Sequence, residues 1–319
     1  LRILTRLFTP EEARLAIHLT LLSETVPVIA LRSGLETGKT AAMLDQMARK
    51  GLVFKSSSPP RYMAAQFVVG IWEYHLNDLD EDLIRDVNEY MPTLMKKSWL
   101  STKTKQLRVV PVAKSVSAEM AIMPFEAAEE IINKQSKIVV SPCICRKEQK
   151  MIGKGCDKPM EVCLAFGAGA YYYEKNGLGR EIDKKEALEL VKKGVDAGLV
   201  LQPGNKQKSM NICMCCGCCC GILKNLKTMD KPAQLVHTNY YAQVDEEACL
   251  ACEACVERCQ MDAISVDDVA RVNLDRCNGC GLCVTDCPTE AMLLKQKAED
   301  SHYVPPKNVF ETYMNMACL

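Results

Sequence analysis

The chain has 319 residues, 40 acidic and 40 basic side chains, and nineteen cysteines. That length allows two or three domains with cores of their own, and no run approaches the ~18 apolar residues that would suggest a transmembrane helix. The charge is unevenly placed: residues 245–290 carry eleven Asp or Glu against three Arg, which disfavours nucleic acid on that surface and suits a basic protein partner.

Nothing at the start reads as a signal peptide, and the chain opens at Leu1 rather than Met, which leaves room for residues ahead of it. So many thiols without a leader point to a cytoplasmic, strongly reducing setting such as that of an anaerobe. Thr9-Pro10-Glu11-Glu12 is a helix start: Thr9 caps, Pro10 sits where its missing N–H costs nothing, and Glu12 completes a capping box. The pattern predicts a helix over about 10–22 with Ala13, Ala16, Ile17 and Leu21 inward. A short helix around 25–32 follows, and a third runs from Thr37 to Gly51 with Ala41, Leu44, Met47 and Ala48 inward. Leu52-Val53-Phe54-Lys55 and Arg61-Tyr62-Met63-Ala64 flank a Ser57-Ser58-Pro59-Pro60 turn and read as a hairpin. Gly34-Leu-Glu-Thr-Gly38-Lys39-Thr40 is no phosphate loop, having three residues between its glycines where four are needed.

Three short helices and a hairpin resemble a winged helix-turn-helix domain over residues 8–68. The resemblance implies a third helix that enters DNA, here offering Thr37, Lys39, Thr40, Gln46, Arg49 and Lys50. Nine basic against five acidic side chains over residues 1–62 is thin for a phosphate footprint. A protein-docking or packing module, with homodimer contact as one use, is favoured over DNA.

Further on, Trp72, Tyr74 and Leu76 suggest a strand, and Leu79 to Tyr90 a helix. Lys96 to Lys105 suggests a solvated connector. Val109 to Val112 is a strand candidate, Phe125 to Asn133 a helix, and Ile138-Val139-Val140 a buried strand leading into Cys143. A helix capped by Asp183 buries Leu188, Val191 and Val195 and ends near Gly198. His237 reads as linker or local packing, and Cys318 as incidental.

Ten cysteines lie between 143 and 220. Cys143, Cys145, Cys156 and Cys163 are enough for one cubane, a possible third cluster. In the dense run that follows, Cys213, Cys216 and Cys219 form an embedded C-x-x-C-x-x-C, with Gly217 relieving crowding. Cys220 is a candidate fourth ligand, Cys215 and Cys218 are alternatives, and exchange of ligands between the two sets is equally allowed. Inert packing explains so dense a run poorly. Free thiols beside a cluster would be the mark of a reductase.

The strongest motif is C-x-x-C-x-x-C-x-x-x-C, at Cys249, Cys252, Cys255 and Cys259 and again at Cys277, Cys280, Cys283 and Cys287. Zinc does not need three cysteines at every third position twice over, and reduced C-x-x-C thiols do not favour disulfides. Residues 243–295 resemble the bacterial two-[4Fe-4S] ferredoxin domain, with Cys287-Pro288 matching the family and Cys259-Gln260 departing from it. In that family the fourth cysteine of each run serves the other cluster. The resemblance therefore implies Cys249, Cys252, Cys255 and Cys287 on one cluster and Cys277, Cys280, Cys283 and Cys259 on the second. The whole cysteine-rich region ahead of this tail resembles anaerobe 4Fe-4S binding proteins.

The expected fold class is α+β and multidomain. A winged-helix-like domain with a helical extension would span 1–100, a cysteine-rich α/β iron–sulfur domain 101–242, the two-cluster ferredoxin-like domain 243–297 and a tail 298–319. Two [4Fe-4S] clusters are expected in the ferredoxin-like domain and one or two further clusters in 143–220. The expected function is one-electron transfer, as a multi-cluster carrier or the electron-transfer subunit of an anaerobic oxidoreductase complex, with a redox partner docking near a cluster. A redox-responsive DNA-binding regulator and a reductase centred on 143–220 are the alternatives.

Overall fold

Capping residues set the N-terminal helices. In the computed structural model, which describes residues 1–56, 59–118 and 120–317, Thr9 and Glu12 form a reciprocal capping box around Pro10 and start the helix Pro10–Ala16. It is shorter than the expected 10–22: Leu15 enters the core, while Ile17 is 79% exposed. Glu12 also takes an ion pair from Lys50 Nζ at 2.6 Å, which ties this helix to the end of Thr37–Arg49. Helix Val26–Ser33 ends where Gly34 turns left-handed at φ 71°. Strands β1 (Val53–Lys55) and β2 (Tyr62–Ala64) form the expected antiparallel hairpin. Leu15, Ile29, Leu44, Met47, Leu52 and Tyr62 make a small core of their own. Ser57, Ser58 and Cys318 lie outside the described residues.

The chain then joins a larger core. Trp72–Tyr74 is a helical turn rather than a strand, because the Glu73 carboxylate accepts the Gly70 N–H at 2.7 Å and closes the turn. Asp80 caps helix Glu81–Leu94, which buries Leu83, Ile84, Val87 and Met91. The stretch 96–105 is not a solvated connector: Trp99 is buried with its Nε1 donating to Leu235 O at 3.1 Å. The buried Lys105 ammonium donates to the carbonyls of Trp99 and Thr102.

This core surrounds a five-stranded antiparallel sheet. Its strands are β3 (Ile138–Pro142), β4 (Glu161–Phe166), β5 (Arg180–Ile182), β6 (Val200–Pro203) and β7 (Asn211–Cys215), in the order β5-β3-β4-β7-β6. Val140, Val162, Leu164, Ile212 and Met214 are buried along it. Helix Lys184–Asp196, capped by Asp183 as expected, packs against it.

In the C-terminal unit, β8 (Tyr240–Val244) pairs with β11 (Met292–Gln296). Strands β9 (Ile264–Val266) and β10 (Ala270–Val272) form a hairpin, and Ala254–Arg258 is a short helix. Met261, Ala263 and Leu282 of this unit sit in the large core. The architecture is α+β and multidomain, with several small sheets. Among the described residues no helix is long and apolar enough to cross a membrane.

His237 lies where the sequence places it, in local packing. Its ring stacks on Tyr303 with centroids 3.8 Å apart, and Nε2 lies 3.0 Å from Lys103 O. Burial brings its pKa down to about 4 even though that hydrogen bond opposes the shift. A histidine depressed below its unfolded value of about 6.5 is neutral in the fold, so the unfolded chain takes up a proton that the fold refuses. Its contribution is fully present above about 6.5 and is lost as pH falls toward 4. His237→Phe is expected to flatten that part of the stability profile in urea unfolding at pH 7 and pH 4.5. An unchanged slope would contradict this.

Candidate metal centres

The two cysteine runs of the C-terminal unit enclose two small spaces. One is lined by Cys249, Cys252, Cys255 and Cys287, the other by Cys259, Cys277, Cys280 and Cys283. The fourth cysteine of each run thus lies with the first three of the other. Backbone N–H groups point at four of the sulfurs: Ala270 to Cys249, Ala242 to Cys277, Ala263 to Cys259 and Met292 to Cys287, at 3.3–3.4 Å. Donors of this kind stabilise thiolate and help set the potential of a bound cluster.

The loops wrap these spaces by left-handed turns. Gly279 and Gly281 take φ 67° and 76° in the second run, and Ala251 and Glu253 take φ 52° and 61° in the first. Side chains at such φ are strained by roughly 1–2 kcal/mol each, so the first run holds a conformation its residues do not choose. Gly279 has no alternative, since a Cβ there would lie 2.2 Å from Tyr240 O. Burial pushes the Cys280 thiol up to about 12 and raises that of Cys283 well above the ordinary thiol range. Such thiols ionise when a metal replaces the proton. The enclosed spaces, the donors to sulfur and the all-thiol ligand sets fit two cubanes.

The ten cysteines of the middle region divide otherwise than their spacing suggested. Cys156 does not join Cys143, Cys145 and Cys163, and Cys213, Cys216, Cys219 and Cys220 do not form one set. The reason is strand periodicity. Cys213 and Cys215 lie two apart on β7 and face the same way, with Cys213 opposite Cys163 of β4. Cys216, one residue on, faces away.

On that other side Cys156, Cys216, Cys218 and Cys219 gather with all sulfurs within 4.8 Å of one another. Cys156 Sγ lies 3.6 Å from Cys219 Sγ and 3.9 Å from Cys216 Sγ, and the sulfurs of Cys218 and Cys219 are 3.8 Å apart. Four thiolates about 2.3 Å from one tetrahedral ion sit about 3.8 Å from each other. The group therefore fits a single tetrahedral ion, and its all-sulfur donors accept zinc or iron.

The remaining six thiols form a closed ring. Cys143 interacts with Cys145 and Cys163, Cys220 with Cys145 and Cys215, and Cys213 with Cys163 and Cys215. All six line one cavity of about 330 Å³, with Glu73, Tyr173 and Tyr313 on its other walls. The direction of the pKa shift alternates around the ring. Cys143, Cys220 and Cys213 are pushed down by hydrogen bonds accepted from their neighbours, Cys213 to about 5. Cys145, Cys215 and Cys163 are pushed up by donating them.

Arg146 stands between the two groups. It is fully buried and donates to Pro159 O at 2.5 Å and Met214 O at 2.9 Å, while its Nε is buried without a protein partner. Burial disfavours its charge, but Cys143 and Cys216 outweigh that and keep it a cation.

Gln260 is among the residues that join the C-terminal unit to the middle region. Gln260, which stands where the ferredoxin pattern has proline, accepts the Gly217 N–H on its Oε1 at 2.9 Å. A Cβ on Gly217 would meet Gln260 O at 2.2 Å, so the cysteine loop lies directly on the Cys259-Gln260 turn. A second seam runs from Val112 N to Cys280 O at 3.0 Å. In the sequence, this position shows only as a departure from the family's proline.

Residues 242–294 match the family model of the 4Fe-4S dicluster domain. No curated protein and no solved structure matches the chain. The chain therefore carries an iron–sulfur domain in its C-terminal part and a four-cysteine candidate metal site ahead of it.

Proposed function

We propose that this protein passes single electrons between its ferredoxin-like domain and its cysteine-rich middle region, as a carrier or as the electron-transfer subunit of an oxidoreductase complex. Bound [4Fe-4S] clusters would supply the one-electron chemistry. Cys249, Cys252, Cys255 and Cys287 would hold one of them, and Cys277, Cys280, Cys283 and Cys259 the other. The chain's own residues do the rest: backbone N–H groups tune the thiolates, and the enclosing loops keep water off them.

The observation that carries this reading is the seam of Gln260 on Gly217, which sets the second ferredoxin space against the cysteine loop. The outer end is open. Cys252 is exposed, Leu250 near it in the chain is 69% exposed, and Glu246, Glu247 and Glu253, close by in sequence, are exposed too. That combination suits a partner with a basic rim around an apolar spot.

Rapid-freeze EPR after reduction by one electron equivalent tests the path. In the wild type the reduced ferredoxin signal is expected to fade as a middle-region signal rises. Gln260→Ala, which removes the side-chain link, is expected to slow that exchange several-fold with the cluster content unchanged. Equal rates would sink the proposed route.

A DNA-binding use of the N-terminal helices has less to stand on. Of the six side chains expected to face DNA, Thr40 is buried and Lys50 is engaged by Glu12. A reductase reading has one observation in its favour, the cavity that the six thiols share with Glu73 and Tyr173.

A further inference from the structure

We propose that Cys143, Cys145, Cys163, Cys213, Cys215 and Cys220 together hold one iron–sulfur centre of eight irons, two cubane units joined by a single bridging sulfide. The proposal rests on the electron-transfer reading only in taking iron and sulfide as the metal chemistry of this chain.

Ligand number carries the argument. A cubane has four iron corners, each needing one outer ligand. One cubane in the ring would leave two buried thiols idle, and two separate cubanes would need eight. Two cubanes sharing one bridging sulfide leave three corners on each, which is six.

The fold supplies ligands in the same division. Cys163, Cys213 and Cys215 come from the paired strands β4 and β7. Cys143, Cys145 and Cys220 come from the starts of helices Ile144–Met151 and Gly221–Lys227. The two triplets are contiguous halves of the ring, and they face one cavity of about 330 Å³, a volume in the range of a small-ligand pocket. Amide donors already point at one sulfur of each half: Asn211 Nδ2 is 3.7 Å from Cys213 Sγ, and Gln202 Nε2 is 4.0 Å from Cys220 Sγ.

The centre would be distinct from the Cys156, Cys216, Cys218 and Cys219 group, whose sulfurs sit at the spacing of a single tetrahedral ion. Six thiolates beside the buried Arg146 would be far from neutral, so several cations must enter with them.

The test is native mass spectrometry of the full chain, reconstituted anaerobically with ferrous iron and sulfide, beside the variant Cys145→Ala/Cys215→Ala. The variant is expected to lose about eight irons and nine sulfides as one unit while keeping the ferredoxin EPR signals. Loss of about four irons would mean a single cubane with two spare thiols and would overturn the proposal. Loss of zinc, or of nothing, would overturn it equally. If the variant fails to fold, the wild-type mass decides, with about sixteen cluster irons for the eight-iron centre and about twelve for one cubane. Absent ferredoxin signals in the wild type would instead defeat the electron-transfer reading.

Discussion

Cys259→Ala and Cys277→Ala are each expected to remove about four irons per chain, and the double variant no more than either alone. Both residues line the same enclosed space, although they belong to different runs. Cys249→Ala combined with Cys259→Ala, two residues of one run, should instead remove about eight, since Cys249 faces the other space. If each run bound its own cluster the two double variants would exchange results. Iron and acid-labile sulfide on anaerobically purified protein, with reduced-state EPR to count the remaining clusters, separate the cases.

Arg146→Met is expected to destabilise the protein by about 3–5 kcal/mol, the usual consequence of removing one partner from a buried charged group. The substitution keeps volume but removes the donor from the part-buried Pro159 carbonyl and the buried Met214 carbonyl, and a buried acceptor that loses its donor costs about 1–3 kcal/mol. It also removes the cation between the six-thiol ring and the four-thiol group, so both should hold metal less well. Arg146→Lys keeps the charge but offers no planar fork for two carbonyls. It should recover metal retention more than stability. Denaturant unfolding of the metal-loaded protein, with metal content measured in parallel, reads both effects. An Arg146→Met variant of unchanged stability would show that the guanidinium is not holding this junction.

How much of this the sequence shows depends on the length of the signal. The ferredoxin-like cysteines are legible because ligation there is written at fixed short spacing, and Thr9-Pro10-Glu11-Glu12 and Asp183 announce their helices by local capping chemistry. The middle region misleads because the eye follows C-x-x-C spacing. Asn211-Ile-Cys213-Met-Cys215 carries a different signal, apolar Ile212 and Met214 alternating with cysteines, which is a strand pattern and puts Cys213 and Cys215 on one face. Pairing of Cys163 with Cys213 across β4 and β7 depends on register, which no local motif states. Arg146 is visible in the sequence only as a basic residue among cysteines, and its burial is a tertiary fact. Gln260 shows in the sequence as a departure from a pattern, and only the contact with Gly217 gives it a role. The burial of Trp99 and Lys105 was hidden for the same reason, since a lysine-rich stretch looks solvated until its carbonyl partners are in place.

Reductive titration of the metal-loaded chain, counting electrons taken up, tests the account most directly. Two cubanes accept one electron each, so a chain whose middle region also receives electrons should take up more than two equivalents, with EPR signals beyond those of the ferredoxin pair. Uptake that stops at two, with every electron on the ferredoxin clusters, would contradict it.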